Sequence, residues 1–558
     1  VPTIKELIHE KRHEELWKVC CGFIDLSLDE FMAIQQHLLL EQLELLRNCT
    51  LGKKIMHGAI PETVEEFRTQ VPLTTYADYC PELLERREDV LPARPKYWQR
   101  TSGRSGEYNC KWIPLSYKQW DELGAFIGAG LIFGTCKGRE DIAFKEGWKM
   151  LYAIAPSPYI FGIFAYKLDE EFGFKFLPPL RESEKMSFDE RLEKGFKLAL
   201  SEGIDAFYGL PGILVAIAEK FTQGSSSMSP ASLLSQPGML LRLLKGLLKS
   251  KLARRSILPR DLWSLKFIFA SGTDGVVYKK KITDMWGKYP LDAYGGADLI
   301  AVAMQTWDYE GMTFFPNVNF LEFIPEEEHE KWKNDRSYQP ETVLLDEVKA
   351  GEIYEMVITH FHGGALVRYR PGDMIRITSL RNEKLGIEIP QMVFERRADD
   401  LIDLGLMRLT EKVIWQAIEN STIPNAGWTA RKEIINNSLT LHLYLELKNN
   451  YIASEKGVAA AVYEQLKALD DGFIHSDIKS VEKLIDFKPI QVTLLPEGAF
   501  SQYIAHRQAE GADLAHMKPP HMNPSDDILE LLQTKRRTAP EGEETVAEKE
   551  ETSVIHHR

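Results

Sequence analysis

Apolar residues recur at three- and four-residue spacing through Phe31–Leu46, and the first hundred residues read as helical. The stretch VPLTTYADYCPELLERREDVLPARP, 71–95, then closes on prolines and marks a boundary. From about Tyr97 to Ile377 short apolar runs alternate with helical patterns, as in LKFIFASGTDG, VVYKKKITDMWGKY and LDAYGG. That alternation predicts α/β layers. Between Glu341 and Ile377 the pattern predicts short strands at VLLDEV, IYEMVITHF, ALVRYR and DMIRI, with glycine turns between them. After Phe394 the chain reads as a smaller α+β unit, with LTLHLYLELK as a strand and EKGVAAAVYEQLKALD as an amphipathic helix. The expected organisation is a large α/β domain over 1–393 and a small α+β domain over 394–534. An acidic tail over 535–558, with six Glu between 541 and 551, reads as disordered.

Composition narrows the function classes. The chain has 558 residues, 44% hydrophobic and 27% charged, which excludes a disordered or fibrous chain. A net charge of −14 makes nucleic acid an unfavourable partner. All six cysteines lie before residue 137 without a CxxC pair, which argues against a disulfide framework or zinc site and for a reducing compartment. No apolar run reaches the ~20 residues of a spanning helix, and the first residues have no signal-peptide core, so the expectation is a soluble cytoplasmic protein with no transmembrane segment. One stretch departs from the acidic average: 220–260 contains no acidic residue, while Arg242, Lys245, Lys249, Lys251, Arg254, Arg255 and Arg260 punctuate its leucines. It reads either as a surface helix with a solvated basic face or as a basic amphipathic helix in weak contact with a membrane or other acidic surface.

The candidate chemistry sits in four short segments. The loop Thr101-Ser102-Gly103-Arg104-Ser105-Gly106, followed by Lys111, offers backbone N–H groups and hydroxyls suited to phosphate oxygens, although such loops are also plain turns. Tyr294-Gly295-Gly296-Ala297-Asp298 offers a ring to stack on a base and a carboxylate for Mg²⁺. Arg368-Tyr369-Arg370-Pro371-Gly372-Asp373 offers a turn-borne carboxylate for two ribose hydroxyls, and Arg397-Ala398-Asp399-Asp400 falls at the inferred domain boundary. Each alone also reads as a turn or a surface ion pair; their order and spacing together point further.

In that order the four segments resemble the adenylate-forming enzyme superfamily. Within it the chain is similar to the Gretchen-Hagen family of acyl acid–amido synthetases, through VPLTTYADY at 71–79, FFPNVNFLEFIP at 314–325, VKAGEIYEMVITHFHGGALVRYRPGDMI at 348–375 and LPEGAFSQYIAHRQAEGADLAHMKPP at 495–520. Phenylacetate–CoA ligases are the next resemblance, through RYRPGD and YGLPGILVAIAE at 208–219. The resemblance implies a large adenylation domain and a small mobile C-terminal domain. It implies ATP phosphates on Ser102, Gly103, Ser105 and Gly106 with Lys111 trailing the loop, and adenine along Ser271-Gly272-Thr273 and against Tyr294. Mg²⁺ would be oriented by Asp298, and ribose held by Asp373 with Arg397 close to the ribose or phosphates. Asp399 would be the hinge, and Lys518 would reach the carboxylate and α-phosphate. This chain has Asp298 where the superfamily has glutamate, Arg104 where the loop has threonine, and Pro519-Pro520-His521 where the family follows the lysine with Pro-Arg.

The implied reaction is ATP-dependent activation of a small carboxylic acid to an acyl-AMP, then transfer to an amine such as an amino acid. Transfer to a thiol such as coenzyme A is the alternative, and a binding protein that keeps only the fold is the third class. Three other features have plain readings: the pair His360 and His362 as structural histidines, Gly128-Ala129-Gly130 as a helix-packing surface, and Trp112, Trp120, Phe126 and Phe133 mainly as core, with one or two in an acyl pocket.

Overall fold

The computed structural model describes residues 2–101, 110–209, 211–222, 237–270, 275–398, 401–404, 408–435, 438–448, 451–469, 490–509, 519 and 521–534. The helical opening is present, and its longest member is Leu28–Arg47. A reciprocal cap starts it: Glu30 N–H donates to the Ser27 hydroxyl, while the Glu30 carboxylate accepts from Ser27 N–H. Its inner face buries Phe31, Leu39, Leu43 and Leu46 together with two glutamines. Gln35 donates to the Pro316 and Asn319 carbonyls and accepts from Leu321 N–H. Gln42 donates to the Gly364 carbonyl and accepts from Gly363 N–H. Each unpaired amide would cost about 1–3 kcal/mol, so these bonds fix the helix against two stretches, 316–321 and 363–364.

Strands β1 (Pro95–Arg100) and β2 (Trp112–Ser116) form an antiparallel hairpin. A parallel four-stranded sheet follows from β3 (Lys149–Leu151), β4 (Lys175–Leu177), β5 (Ala206–Gly209) and β6 (Phe267–Ala270), in the order β4-β3-β5-β6. The helix Tyr117–Phe133 is apolar on nearly every side and is correspondingly buried. A Cβ on Gly128 would stand 2.5 Å from Cys20 Sγ, and one on Gly130 would touch Met304, so these glycines serve close packing, as expected.

The large antiparallel sheet contains β7 (Ala293–Tyr294), β8 (Ala303–Gln305), β9 (Met312–Phe314), β10 (Asn319–Pro325), β11 (Ile353–His360), β12 (Asp373–Ser379) and β13 (Gln391–Arg397). Its order is β10-β11-β12-β13-β9-β8-β7, which sets the strands bearing Asp373 and Arg397 side by side. Two expected strands are absent from it. VLLDEV contributes a single bridge, Val343 to Phe323, before turning, and ALVRYR contributes only Tyr369, which pairs with Ile358 and Thr74. Arg368, at a φ of 44°, breaks the extended run.

Beyond a short pair, β14 (Ile402–Asp403) with β15 (Arg408–Leu409), the α+β segment follows. Here β16 (Asn425–Ile435) pairs antiparallel with β17 (Ser438–Leu447), which pairs parallel with β18 (Ile490–Leu494). Helices Glu411–Asn420 and Glu455–Leu469 pack on this sheet, the second at its expected place.

Candidate active site

The hairpin positions the first candidate residues. Thr101 N–H donates to the Lys111 carbonyl at 2.9 Å, and Lys111 N–H donates to the Thr101 hydroxyl at 3.0 Å, so the two residues clasp the neck of the intervening loop. Ser102, Gly103, Arg104, Ser105 and Gly106 lie outside the described residues, as do Ser271, Gly272, Thr273, Asp399 and Lys518.

Lys111 extends from this neck and donates to Tyr369 Oη at 2.9 Å; Tyr369 in turn donates to Asp298 Oδ2 at 3.2 Å. The turn that bears Asp298 is tightly held. A Cβ on Gly295 would meet the Ile300 carbonyl oxygen at 2.6 Å, so only glycine fits there. Ile300 itself has a φ of 59°, a strained value for a β-branched residue. Asn319 Nδ2 bonds the Leu299 and Ala301 carbonyls, Gln99 Nε2 bonds the Ala297 carbonyl at 2.7 Å, and His360 Nε2 bonds the Asp298 carbonyl at 2.8 Å. His360 is thus structural, and burial holds its imidazole down at about 4.

Asp373 and Arg397 face each other directly in the β12–β13 register and form an ion pair. The second Asp373 oxygen accepts from the Tyr294 hydroxyl at 2.6 Å. The groups expected at adenine and ribose therefore hold each other here. Burial, and then the carboxylates beside them, push the Tyr294 and Tyr369 hydroxyls well up, which keeps both as neutral donors. Asp298 and Arg397 act electrostatically on both tyrosines, so the two bonded groups form one neighbourhood.

The turn ahead of Asp373 is braced by residues whose roles the sequence did not disclose. Arg368 forks onto Glu322 and donates to the Arg68 and Val71 carbonyls; Arg370 forks onto Glu355, which also bonds His329. Burial alone would raise the Glu355 carboxyl, but the His329 and Arg370 bonds outweigh it and hold it below the usual range. Gly372, at a φ of 78°, completes the turn in a conformation that favours glycine. Thr74 pairs on both sides of Tyr369, and Tyr76 Oη bonds the main chain of Trp112 next to Lys111. Thr74, Tyr76, Arg368 and Arg370 had a signal in their places inside VPLTTYADY and RYRPGD, and Glu322 and Glu355 lie in the longer matched stretches, whereas His329 and Arg68 had none.

Between the helix Tyr117–Phe133 and strands β3, β5, β6 and β8 lies an apolar cavity of about 30 Å³, lined by Phe126, Met150, Phe164, Tyr208, Phe269 and Met304 among others. Met304 opposes Ala293, the neighbour of Tyr294. The Tyr208 hydroxyl is buried there without a hydrogen-bond partner among the described residues. Of the four aromatic candidates, Trp120 and Phe133 are core, Trp112 is half-buried and Phe126 lines this cavity. In the C-terminal segment, His521 packs on Trp428, and its main chain pairs with Ala430 on β16, which anchors the stretch just after Lys518.

Comparison with known proteins agrees with this architecture. Residues 21–154 match the GH3 (Gretchen-Hagen) family N-terminal domain, and residues 312–397 match the GH3 family central domain. The jasmonoyl–L-amino acid synthetase GH3.5 of Oryza sativa subsp. japonica is 27% identical over 293 residues, which cover 49% of this chain and 48% of that protein. The indole-3-acetic acid-amido synthetase GH3.4 of Arabidopsis thaliana is 25% identical over 237 residues, 40% of this chain and 37% of that one. The chain thus spans about half the length, or less, of these relatives. Among solved structures, the AtGH3.15 acyl acid amido synthetase superposes with a TM-score of 0.50 at 16% identity, covering 92% of this chain and 95% of its own. A 2-hydroxyisobutyryl-CoA ligase superposes with a TM-score of 0.53 at 16% identity, covering 84% and 87%. Residues 21–154 and 312–397 thus resemble the N-terminal and central domains of the GH3 family, and the fold is shared with an acyl acid amido synthetase and a CoA ligase.

Proposed function

We propose that the protein activates a carboxylic acid with ATP, releasing pyrophosphate, and transfers the acyl group of the resulting acyl-AMP to an amine, an amino acid above all. One observation carries this reading: Lys111, Asp298, Asp373 and Arg397, from separate stretches of a chain with two GH3 domains, gather around Tyr294 and Tyr369. A carboxylate is a poor electrophile, and joining it to AMP supplies a leaving group; the protein's part is positioning and charge neutralisation.

ATP would lie with its phosphates at the Thr101–Lys111 loop and its ribose at Asp373, where Arg397 and Tyr294 would share the carboxylate. Mg²⁺ is commonly held by one or two carboxylates completed by phosphate oxygens, so the lone carboxylate of Asp298 fits it once ATP is bound. Lys518 would neutralise charge between the acid and the α-phosphate.

Two partners must use one site in turn, so the segment after Asp399 would rotate between the half-reactions. Asp399→Pro fixes φ near about −65° and should therefore separate pyrophosphate exchange from acyl transfer. Equal effects on both in a folded variant would count against rotation. The acceptor is tested by AMP release from one accepted acid with amino acids or with coenzyme A as acceptor. Release stimulated by amino acids supports amide formation, whereas stimulation by the thiol alone would replace it with thioester formation.

A further inference from the structure

The helix Pro237–Leu252 carries a face that is exposed among the described residues. Met239, Gly246 and Ser250 are buried, a Cβ on Gly246 would meet Leu262 and Ile257, and Arg242 donates to the Leu200 and Leu262 carbonyls. On the other side Leu240, Leu241, Leu244, Leu247, Leu248 and Leu252 are 37–83% exposed. At about 100° per residue these six leucines span an arc of roughly 140°, opposite the packed face.

The charges fit one kind of partner. Lys245 and Lys249 border one edge of the arc, Lys251 lies within it near its C-terminal end, and Arg254 follows just beyond the helix. None of the four pairs with a carboxylate among the described residues, and 220–260 holds no acidic residue in a chain of net charge −14. Arg255 is different, since it is tied to Asp261.

We propose that this helix docks the protein on an anionic lipid bilayer, lying in the interface plane with its leucines at the acyl-chain boundary and the four cations at the phosphate level. A helix of 16 residues, about 24 Å long and interrupted by lysines, suits lying on a membrane rather than crossing one. A second copy on the same face would oppose like charges across the contact. The acidic segment 541–551 could meet the lysines but offers little apolar surface to cover six leucines.

Vesicle flotation of the full chain tests this. The protein should float with phosphatidylcholine vesicles containing about 30 mol % phosphatidylserine and not with phosphatidylcholine alone. Binding should weaken as NaCl rises from about 50 to 500 mM, because the attraction is screened. Lys245→Glu/Lys249→Glu/Lys251→Glu should weaken binding by at least about 100-fold, given roughly fivefold per basic residue near such a surface. Leu244→Gln/Leu248→Gln should weaken it by at least about tenfold through lost apolar insertion. Unchanged thermal melting in both variants, followed by circular dichroism, makes these losses independent of folding and of the catalytic reading. No flotation at low salt, unaltered binding by the leucine variant, or leucine-dependent self-association in place of vesicle binding would each overturn the proposal.

Discussion

Lys111 rests on the Tyr369 hydroxyl, a neutral partner that an ammonium can exchange for a phosphate oxygen. A charge-assisted hydrogen bond contributes about 1.5–3 kcal/mol, so Lys111→Met is expected to raise KM for ATP roughly 10–100-fold, with a smaller effect on kcat. Steady-state pyrophosphate exchange checks this, and an unchanged KM would remove Lys111 from the phosphate site. His360 allows a prediction about pH. Its native pKa of about 4 lies below the ordinary 6.5, so the unfolded chain takes up a proton first as pH falls. The resulting stability is complete above about pH 6.5 and is lost between about 6.5 and 4, by something of order 3 kcal/mol. An NMR titration should find the His360 midpoint near 4; a midpoint near 6.5 would show that burial does not control it. The stretches bearing Lys111, Asp298, Asp373 and Arg397 were marked in sequence by their resemblance to family motifs, and the structure brings these side chains into one neighbourhood. Tyr369 as the link between Lys111 and Asp298 was not marked, because those three residues lie far apart in sequence and no local pattern encodes the contact.

Among the elements, the turn carrying Asp373 depends on buried charge. Arg368 is nearly inaccessible and Glu322 fully so, and together they form a two-pronged pair. Removing one member of such a pair leaves the other charge uncompensated. Glu322→Ala should therefore destabilise the protein by about 3–5 kcal/mol in urea unfolding, if the denatured state is unaffected. A loss below about 1 kcal/mol would mean that water already solvates this guanidinium. The same arginine explains a misreading of the pattern. ALVRYR is apolar enough to read as a strand, yet its burial comes from Arg368 and Tyr369 crossing between β11 and Thr74, not from a ladder. VLLDEV likewise shows burial without extended pairing. Conversely, β16 interrupts its alternation with Arg431, Lys432 and Glu433, and so lacked the signal that made its partner β17 evident.

Across the whole molecule, the large sheet brings residues 294–298, 369–373 and 397 together, and the hairpin delivers Lys111 to them. The alternation of short apolar runs with helical patterns made the α/β class legible, and the order of the motifs, through the resemblance it carries, pointed to this grouping. Strand order was not legible: the placement of β13 between β12 and β9 depends on pairing across nearly eighty residues. The central claim is that this assembly forms an acyl-AMP before any acceptor is engaged. The direct measurement is ATP–pyrophosphate exchange in the presence of Mg²⁺, across a panel of carboxylic acids, without amine or thiol. The account predicts exchange that requires an acid and falls about 10²–10³-fold in Lys518→Ala, the scale of losing one electrostatic stabiliser. Exchange that proceeds equally without any acid, or at the wild-type rate in Lys518→Ala, would contradict it.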